Sequence, residues 1–373
     1  MKPGDAWRAM RLRMALKVMK SLTSRAAAEV PARYVSDLTE VLHQPDVKTH
    51  VTECSTWTPA LIEDYDFPQG YPLGFRRSHA FNQRFVYRLT DVISAPRSGA
   101  VWIPSNGRLL GESYGTLLRS IEWGDVRPDL MAPVYRMPLN EPVVLSPPTG
   151  YYHWLLEILP RVLVAHEFEP TVKAVVPTGC PEYITDALNL LGMEILETGR
   201  RAIQIKNVIV PSALQGAGFI PSADVERLRN SILPAVVGMH EEQPSPQLVY
   251  VSRTKDSRRK LSNERAVEDL MRENGFDVVY LQDLTWTEQI HRMSRVEVVV
   301  SPHGAGLANT IWSNALSTII EIFPAGVTND CYARLALQRG AGYSFLDTES
   351  DPGSSGVVNL QGLEQLIALA LKK

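Results

Sequence analysis

The chain has 373 residues, 45% of them hydrophobic and 21% charged, with a formal net charge of −3. This is the composition of a globular protein long enough for two domains, and the weak negative charge leaves no electrostatic footprint for nucleic acid. No apolar run reaches the length of a membrane span and no signal-peptide core is visible, while Cys54, Cys180 and Cys331, odd in number and far apart, argue against a disulfide framework and predict a reducing, cytoplasmic compartment.

In chain order, residues 1–30 come first. Arg8, Arg11, Arg13, Lys17, Lys20 and Arg25 accompany Trp7, Met10, Met14, Val18 and Leu22 at helical spacing. This pattern predicts either a helix lying on an anionic membrane surface, a peripheral contact at the inner membrane, or a terminal helix packed on the body. Residues 31–140 contain Pro-rich turns and short alternating runs such as Phe85–Leu89 and Ala100–Pro104, read as a β-rich elaboration that shapes an acceptor site. Asp64-Tyr65-Asp66 has the D-x-D form of metal-dependent sugar transferases, but a chain this rich in aspartate produces such a triplet by chance, and no metal ligand is assigned.

Strands are predicted at Pro142–Ser146, Val172–Val176 and Asn207–Val210, with helices at Tyr151–Glu167 and Glu182–Leu191 between them. This makes an α/β core at about 140–240 within a domain of residues 31–240. His153 and Glu157 stand four apart, so they share a helix face that Arg161 continues. Pro160 is expected to kink or end that helix. At the helix N-terminus the dipole is expected to lower the imidazole pKa, which suits His153 to act as a general base, with Glu157 orienting it or serving instead. Asp64, Asp66 and His79 are the reserve candidates. Pro221–Gly238 reads as a helical connector and residues 241–246 as the linker to a domain of residues 241–354.

That domain alternates strand and helix: strands at Gln247–Ser252, Phe276–Leu281, Val296–Ser301, Ser317–Phe323 and Tyr343–Leu346, helices at Asn263–Asn274, Thr287–Met293, Ala305–Ser313 and Asp330–Arg339. Such alternation predicts a parallel sheet with helices on both faces and a ligand beyond the carboxyl ends of its strands. At one of those ends lies Ser301-Pro302-His303-Gly304-Ala305-Gly306-Leu307. Two glycines before a helix start leave room for a diphosphate at unpaired N–H groups, and His303 adds a donor. Asn309 replaces the third glycine of a dinucleotide fingerprint, so that reading fails. The basic stretch Arg253, Lys255, Arg258, Arg259 and Lys260 ends another strand and would neutralise a di-anion. Glu321, in an apolar run, reads either as an acceptor for ribose hydroxyls or as a buried carboxylate paired with a neighbouring arginine. The helix at Leu360–Leu371, within 355–373, closes the chain.

Several of these segments together resemble glycosyltransferase family 61. They are Ser252-Arg253 with Arg258 and Arg259, Leu281-Gln282-Asp283-Leu284, His303-Gly304-Ala305-Gly306-Leu307-Ala308-Asn309, Ile320-Glu321-Ile322-Phe323, and Tyr151-Tyr152-His153-Trp154 through Arg161. The resemblance spans roughly Pro142 to Leu346. It implies a GT-B architecture, two Rossmann-like domains facing across a cleft, with the C-terminal helix crossing back to the N-terminal domain. It also implies inverting, metal-independent transfer from a nucleotide sugar, UDP-linked by default, to a glycan or lipid-linked acceptor, as in bacterial capsular-polysaccharide assembly, without a cofactor. The donor would be held by Arg253, Arg258, His303, Gly304, Ala305, Gly306, Leu307 and Glu321, and His153 with Glu157 would serve catalysis. Two rival readings are a nucleotide-sugar epimerase on the same fold and a non-catalytic nucleotide-sugar-binding assembly protein.

Overall fold

In the computed structural model, the residues described are 35–36, 44–67, 71–72, 74–105, 107–111, 128–129, 131–213, 218–240, 247–255, 261–349 and 356–372. The basic segment 1–30, the linker 241–246, and Arg258, Arg259 and Lys260 lie outside them.

The C-terminal half holds a five-stranded, wholly parallel sheet in the order Asp277–Val279, Leu248–Val251, Val298–Pro302, Thr318–Phe323, Gly342–Asp347. Its central strands are apolar almost without interruption because both faces are covered. Side chains alternate between the faces. Val298, Val300, Ile320 and Ile322 pack with the helices Glu264–Glu273 and Leu360–Ala370. On the opposite face, Val299, Ile319 and Phe323 pack with the helices Trp286–Met293 and Cys331–Gln338 and with the turn of helix at Ala305–Trp312. Thr285 starts the Trp286–Met293 helix with a capping box to Glu288.

The N-terminal half is built on a six-stranded sheet. Ile195–Thr198, Lys173–Pro177, Val143–Leu145 and Val208–Pro211 run parallel, and Arg84–Leu89 and then Val51–Thr58 extend the edge with antiparallel pairing. Val144, Ala174, Val176 and Ile209 meet helices, whereas Val143, Val175, Val208 and Val210 face a second six-stranded sheet that includes Val92–Ser94 and Ala202–Ile205. A sheet thus covers the face where a Rossmann-like unit carries helices. The expected β-rich elaboration is therefore no appendage: its strands complete one sheet and line the other.

The helices Leu159–Phe168, Glu182–Leu190 and Ser222–Met239 form one layer with the inner helices of the C-terminal half, and a single apolar cluster runs from Val144 and Ala174 to Val299 and Phe323.

Three expectations are corrected or refined. The terminal helix does not cross to the N-terminal half. Leu363, Ile367 and Ala370 fill an apolar gap beside Glu264–Glu273 on the C-terminal sheet. The helix expected at Ala305–Ser313 is present as a 3-10 helix, Ala305–Trp312. Finally, the helix does not end at Pro160: the α-helical turn Tyr151–His153 passes into a π-helical segment, Trp154–Ile158, and Leu159–Phe168 resumes the α-helix through the proline. The regular α-helical ladder is interrupted in the turn just before the proline, which has no N–H to give it. Among the described residues, no helix is long and apolar enough to cross a membrane.

Candidate active site

His303 leaves the central strand Val298–Pro302, all five of whose residues are buried. Strand register places Ser301 opposite Glu321 and Glu321 opposite Phe345, so Tyr343 is a diagonal neighbour of Glu321 on one sheet face. Glu321 is fully buried. One carboxylate oxygen takes Nδ1 of His303 and the other accepts from the Tyr343 hydroxyl at 2.6 Å. Burial pushes the Glu321 carboxyl above its ordinary pKa, against the pull of His303. The reading of Glu321 as an acceptor for ribose hydroxyls is thereby corrected: its oxygens are committed inside the protein, and its partner is a histidine. The carboxylate instead fixes the imidazole ring, whose Nε2 has no partner among the described residues.

The two glycines of the loop serve different ends. A Cβ on Gly304 would lie 1.7 Å from a terminal nitrogen of Arg253, whose guanidinium donates to the His303 carbonyl at 3.3 Å. A Cβ on Gly306 would meet Leu281 at 2.9 Å and Val251 at 3.3 Å. Gly304 thus admits an arginine to the loop, and Gly306 lets the loop pack on the core rather than admit a ligand. The buried Tyr332 closes the other side, donating to the Gly304 carbonyl at 2.6 Å.

Arg253 is itself held from behind. Glu264 accepts from the Arg253 backbone N–H and from Ser252, while Glu268 accepts from Ser252 at 2.7 Å, Thr254 at 2.6 Å and Tyr280 at 3.0 Å. Lys255 is engaged with Asp283 and lies over the Tyr280 ring. Of the basic stretch, Arg253 is the described cation at the His303 loop, and Arg258 is outside the described residues.

The second cluster lies on the Tyr151–Ile158 segment. His153 Nδ1 meets Glu157 at 2.9 Å, and the same oxygen accepts the Gly218 N–H at 2.8 Å. Glu157 is buried, while the His153 side chain is 35% exposed and its Nε2 has no partner among the described residues. The hydrogen bond to Glu157 raises the His153 pKa despite partial burial. The expected lowering by the helix dipole is corrected: a carboxylate in direct contact outweighs partial charges on a backbone.

The two clusters adjoin. The Tyr152 ring packs edge-on against His153 at 5.3 Å and against Tyr332 at 5.5 Å, and Tyr332 in turn lies 5.6 Å from His303. Next to them, Tyr151 donates to Asn309 at 2.6 Å and accepts from Trp286 at 3.0 Å, while Asn309 also takes Trp312 and donates to Gln289. Where a dinucleotide loop has a glycine, this chain has a buried amide that ties the two halves together. Asp64 and Asp66 are exposed and share no hydrogen bond with this network among the described residues, and His79 stacks on Phe219 at 3.8 Å.

The glycosyltransferase 61 family model matches residues 151–320. Over these residues the chain is similar to glycosyltransferase family 61. The matched region, a little under half of the chain, begins at the tyrosine pair before His153, takes in Arg253 and the His303 loop, and ends one residue short of Glu321. No curated protein matches the chain significantly. Family 61 is a family of glycosyltransferases, which work with a nucleotide-sugar donor and an acceptor. Tyr152, Tyr332, Tyr343 and Gly218 escaped the sequence reading because their roles depend on cross-strand register and on contacts between distant segments. Asn309 alone left a signal, as the departure from a glycine pattern.

Proposed function

We propose that the protein is an inverting, metal-independent glycosyltransferase of GT-B type that moves a sugar from a nucleotide-diphosphate donor, with UDP as carrier, to a glycan or lipid-linked acceptor of surface-polysaccharide assembly in the cytoplasm. The observation that carries this reading is the meeting of two carboxylate-oriented histidines, His153 and His303, from the two halves of the molecule, linked through the Tyr152 and Tyr332 rings. Each has Nδ1 fixed by a buried glutamate, leaving Nε2 for a reactant.

In this scheme His303, the loop backbone at Gly304 and Ala305, and Arg253 hold the diphosphate. His153 Nε2 takes the proton of the acceptor hydroxyl as its oxygen attacks the anomeric carbon from the face opposite the leaving group. The bond from that carbon to the diphosphate oxygen breaks, the nucleoside diphosphate departs with the electron pair, and Arg253 and His303 neutralise the charge it gains. Glu157 holds the ring and stabilises the imidazolium that forms.

A thermal-shift series with nucleotides and UDP-sugars, followed by a UDP-release assay on acceptor extracts, tests the proposal. Stabilisation by UDP with acceptor-dependent UDP release is expected. UDP-sugar conversion without UDP release would point to an epimerase, and binding with no turnover to an assembly protein. EDTA should leave turnover intact. A loss restored by manganese would bring Asp64 and Asp66 back as candidates.

A further inference from the structure

Beside the His153–Glu157 pair opens a cleft of about 490 Å³, of whose lining only Gly218 and Phe219 fall within the family match. Its walls come from both halves: Phe75 and Arg76 on one side, Thr328, Asn329, Asp330 and Arg334 on the other. Gly218 joins it to the histidine site. This glycine lines the cleft, donates its N–H to Glu157 and accepts the Tyr152 hydroxyl at 3.2 Å, and its φ of +83° is one that other residues rarely adopt.

The charges of the cleft are arranged for an anion. Arg334 is buried, with its guanidinium 3.7 Å from the Phe219 ring centre and a hydrogen bond to Asp330 at 2.9 Å. Its Nε has no acceptor among the described residues. Burying a guanidinium donor in this way is costly unless something completes it. Arg76 is exposed, lies over the same ring at 4.9 Å, and donates its backbone N–H to Asp330 at 2.8 Å. Asp330 thus balances one of two guanidinium charges, leaving the wall positive. Both arginines are pre-positioned on a ring face, which lowers the entropy lost when they bind a ligand. Thr328 and Asn329 are exposed beside them and offer partners for hydroxyls.

We infer that this cleft is an acceptor subsite for a sugar carrying a negative group, a carboxylate or a phosphate, with Arg76 and Arg334 taking the anion while a neighbouring hydroxyl faces His153. The inference rests on the glycosyltransferase reading above. It adds the acceptor's charge, which neither the family match nor the sequence supplies.

The test is calorimetric binding to the full chain of four probes: a galacturonate tetramer, a glucuronate-containing hyaluronan tetramer, glucose 6-phosphate, and the carboxyl-reduced neutral form of the galacturonate tetramer. At least one anionic probe should bind at least tenfold more tightly than the neutral one, and the arm that binds distinguishes carboxylate from phosphate. Arg76→Ala, a surface change, should lose that preference by tenfold or more while UDP affinity is unchanged. Arg334→Lys, checked for an unaltered melting temperature, should weaken anion binding in the same direction. Equal affinity for charged and neutral probes, no binding of any anionic probe, or an unaffected Arg76→Ala variant would overturn the inference. If UDP still stabilises the protein in that case, the glycosyltransferase reading stands alone. If UDP fails as well, that reading falls first.

Discussion

At His153, one contact sets both function and pH response. Its pKa is raised by the hydrogen bond to Glu157, so the neutral form required of a base appears only as pH rises above the reference value of about 6.5. The acid limb of the rate profile should therefore lie above 6.5, and Glu157→Gln should move it down. The stability linkage has the opposite sense: the pair contributes fully below about 6.5 and loses its contribution as pH rises through the folded-state pKa. Loss of the ring in His153→Ala should reduce turnover by roughly 100- to 10,000-fold with UDP affinity nearly unchanged. A profile identical in wild type and Glu157→Gln would remove the carboxylate from this role. At the donor loop, Arg253→Ala should weaken UDP binding by about 1.5–3 kcal/mol, the range for a hydrogen bond to a charged group. Gly304→Ala should act in the same direction without touching a cation, because its methyl occupies the place of the Arg253 guanidinium. Unchanged UDP affinity in Gly304→Ala would separate the glycine from the arginine.

Among elements, those with strong periodic patterns were legible in the sequence and those defined by pairing were not. The central strand before His303, the strand of Glu321 and the helix at Trp286–Met293 lie within two residues of their predicted limits, because burial on both faces or a capping box leaves a local mark. The strand Ile195–Thr198 left no such mark, and of the second N-terminal sheet only the run at Ala100–Pro104 did, since short strands acquire meaning only from their neighbours. The residues of the candidate site divide in the same way. His153, Glu157, His303 and Arg253 were found by type and spacing, whereas the partner of Glu321 was not, because strand register decides it. Asn309 has a predicted effect at this scale. Asn309→Leu strips the acceptor from Tyr151 and Trp312, both in buried surroundings, and should cost about 1–3 kcal/mol in chemical denaturation. Wild-type stability in that variant would mean the Tyr151–Asn309 tie contributes nothing.

For the whole molecule, the apolar cluster shared by both halves has an energetic meaning. Neither sheet can lose its inner helices without exposing the other, so calorimetry should give one unfolding transition rather than two. UDP should raise that single transition as a whole, with about 2.7 kcal/mol of stabilisation at a hundredfold excess over its Kd. Two resolved peaks, only one of them moved by UDP, would show the halves to be independent. Within this shared layer the Trp154–Ile158 segment has a further consequence. A π turn holds one residue more than the α turn it replaces, so it acts as an insertion that resets the phase of the helix. Deleting one residue there would restore a regular α-helix and swing everything before it by about 100° with a shift of about 1.5 Å. Arg161 would stay on the Pro211 carbonyl, while Tyr151, Tyr152 and His153 would turn off Asn309 and Tyr332. A single supernumerary residue thus sets the azimuth at which one half of the site faces the other.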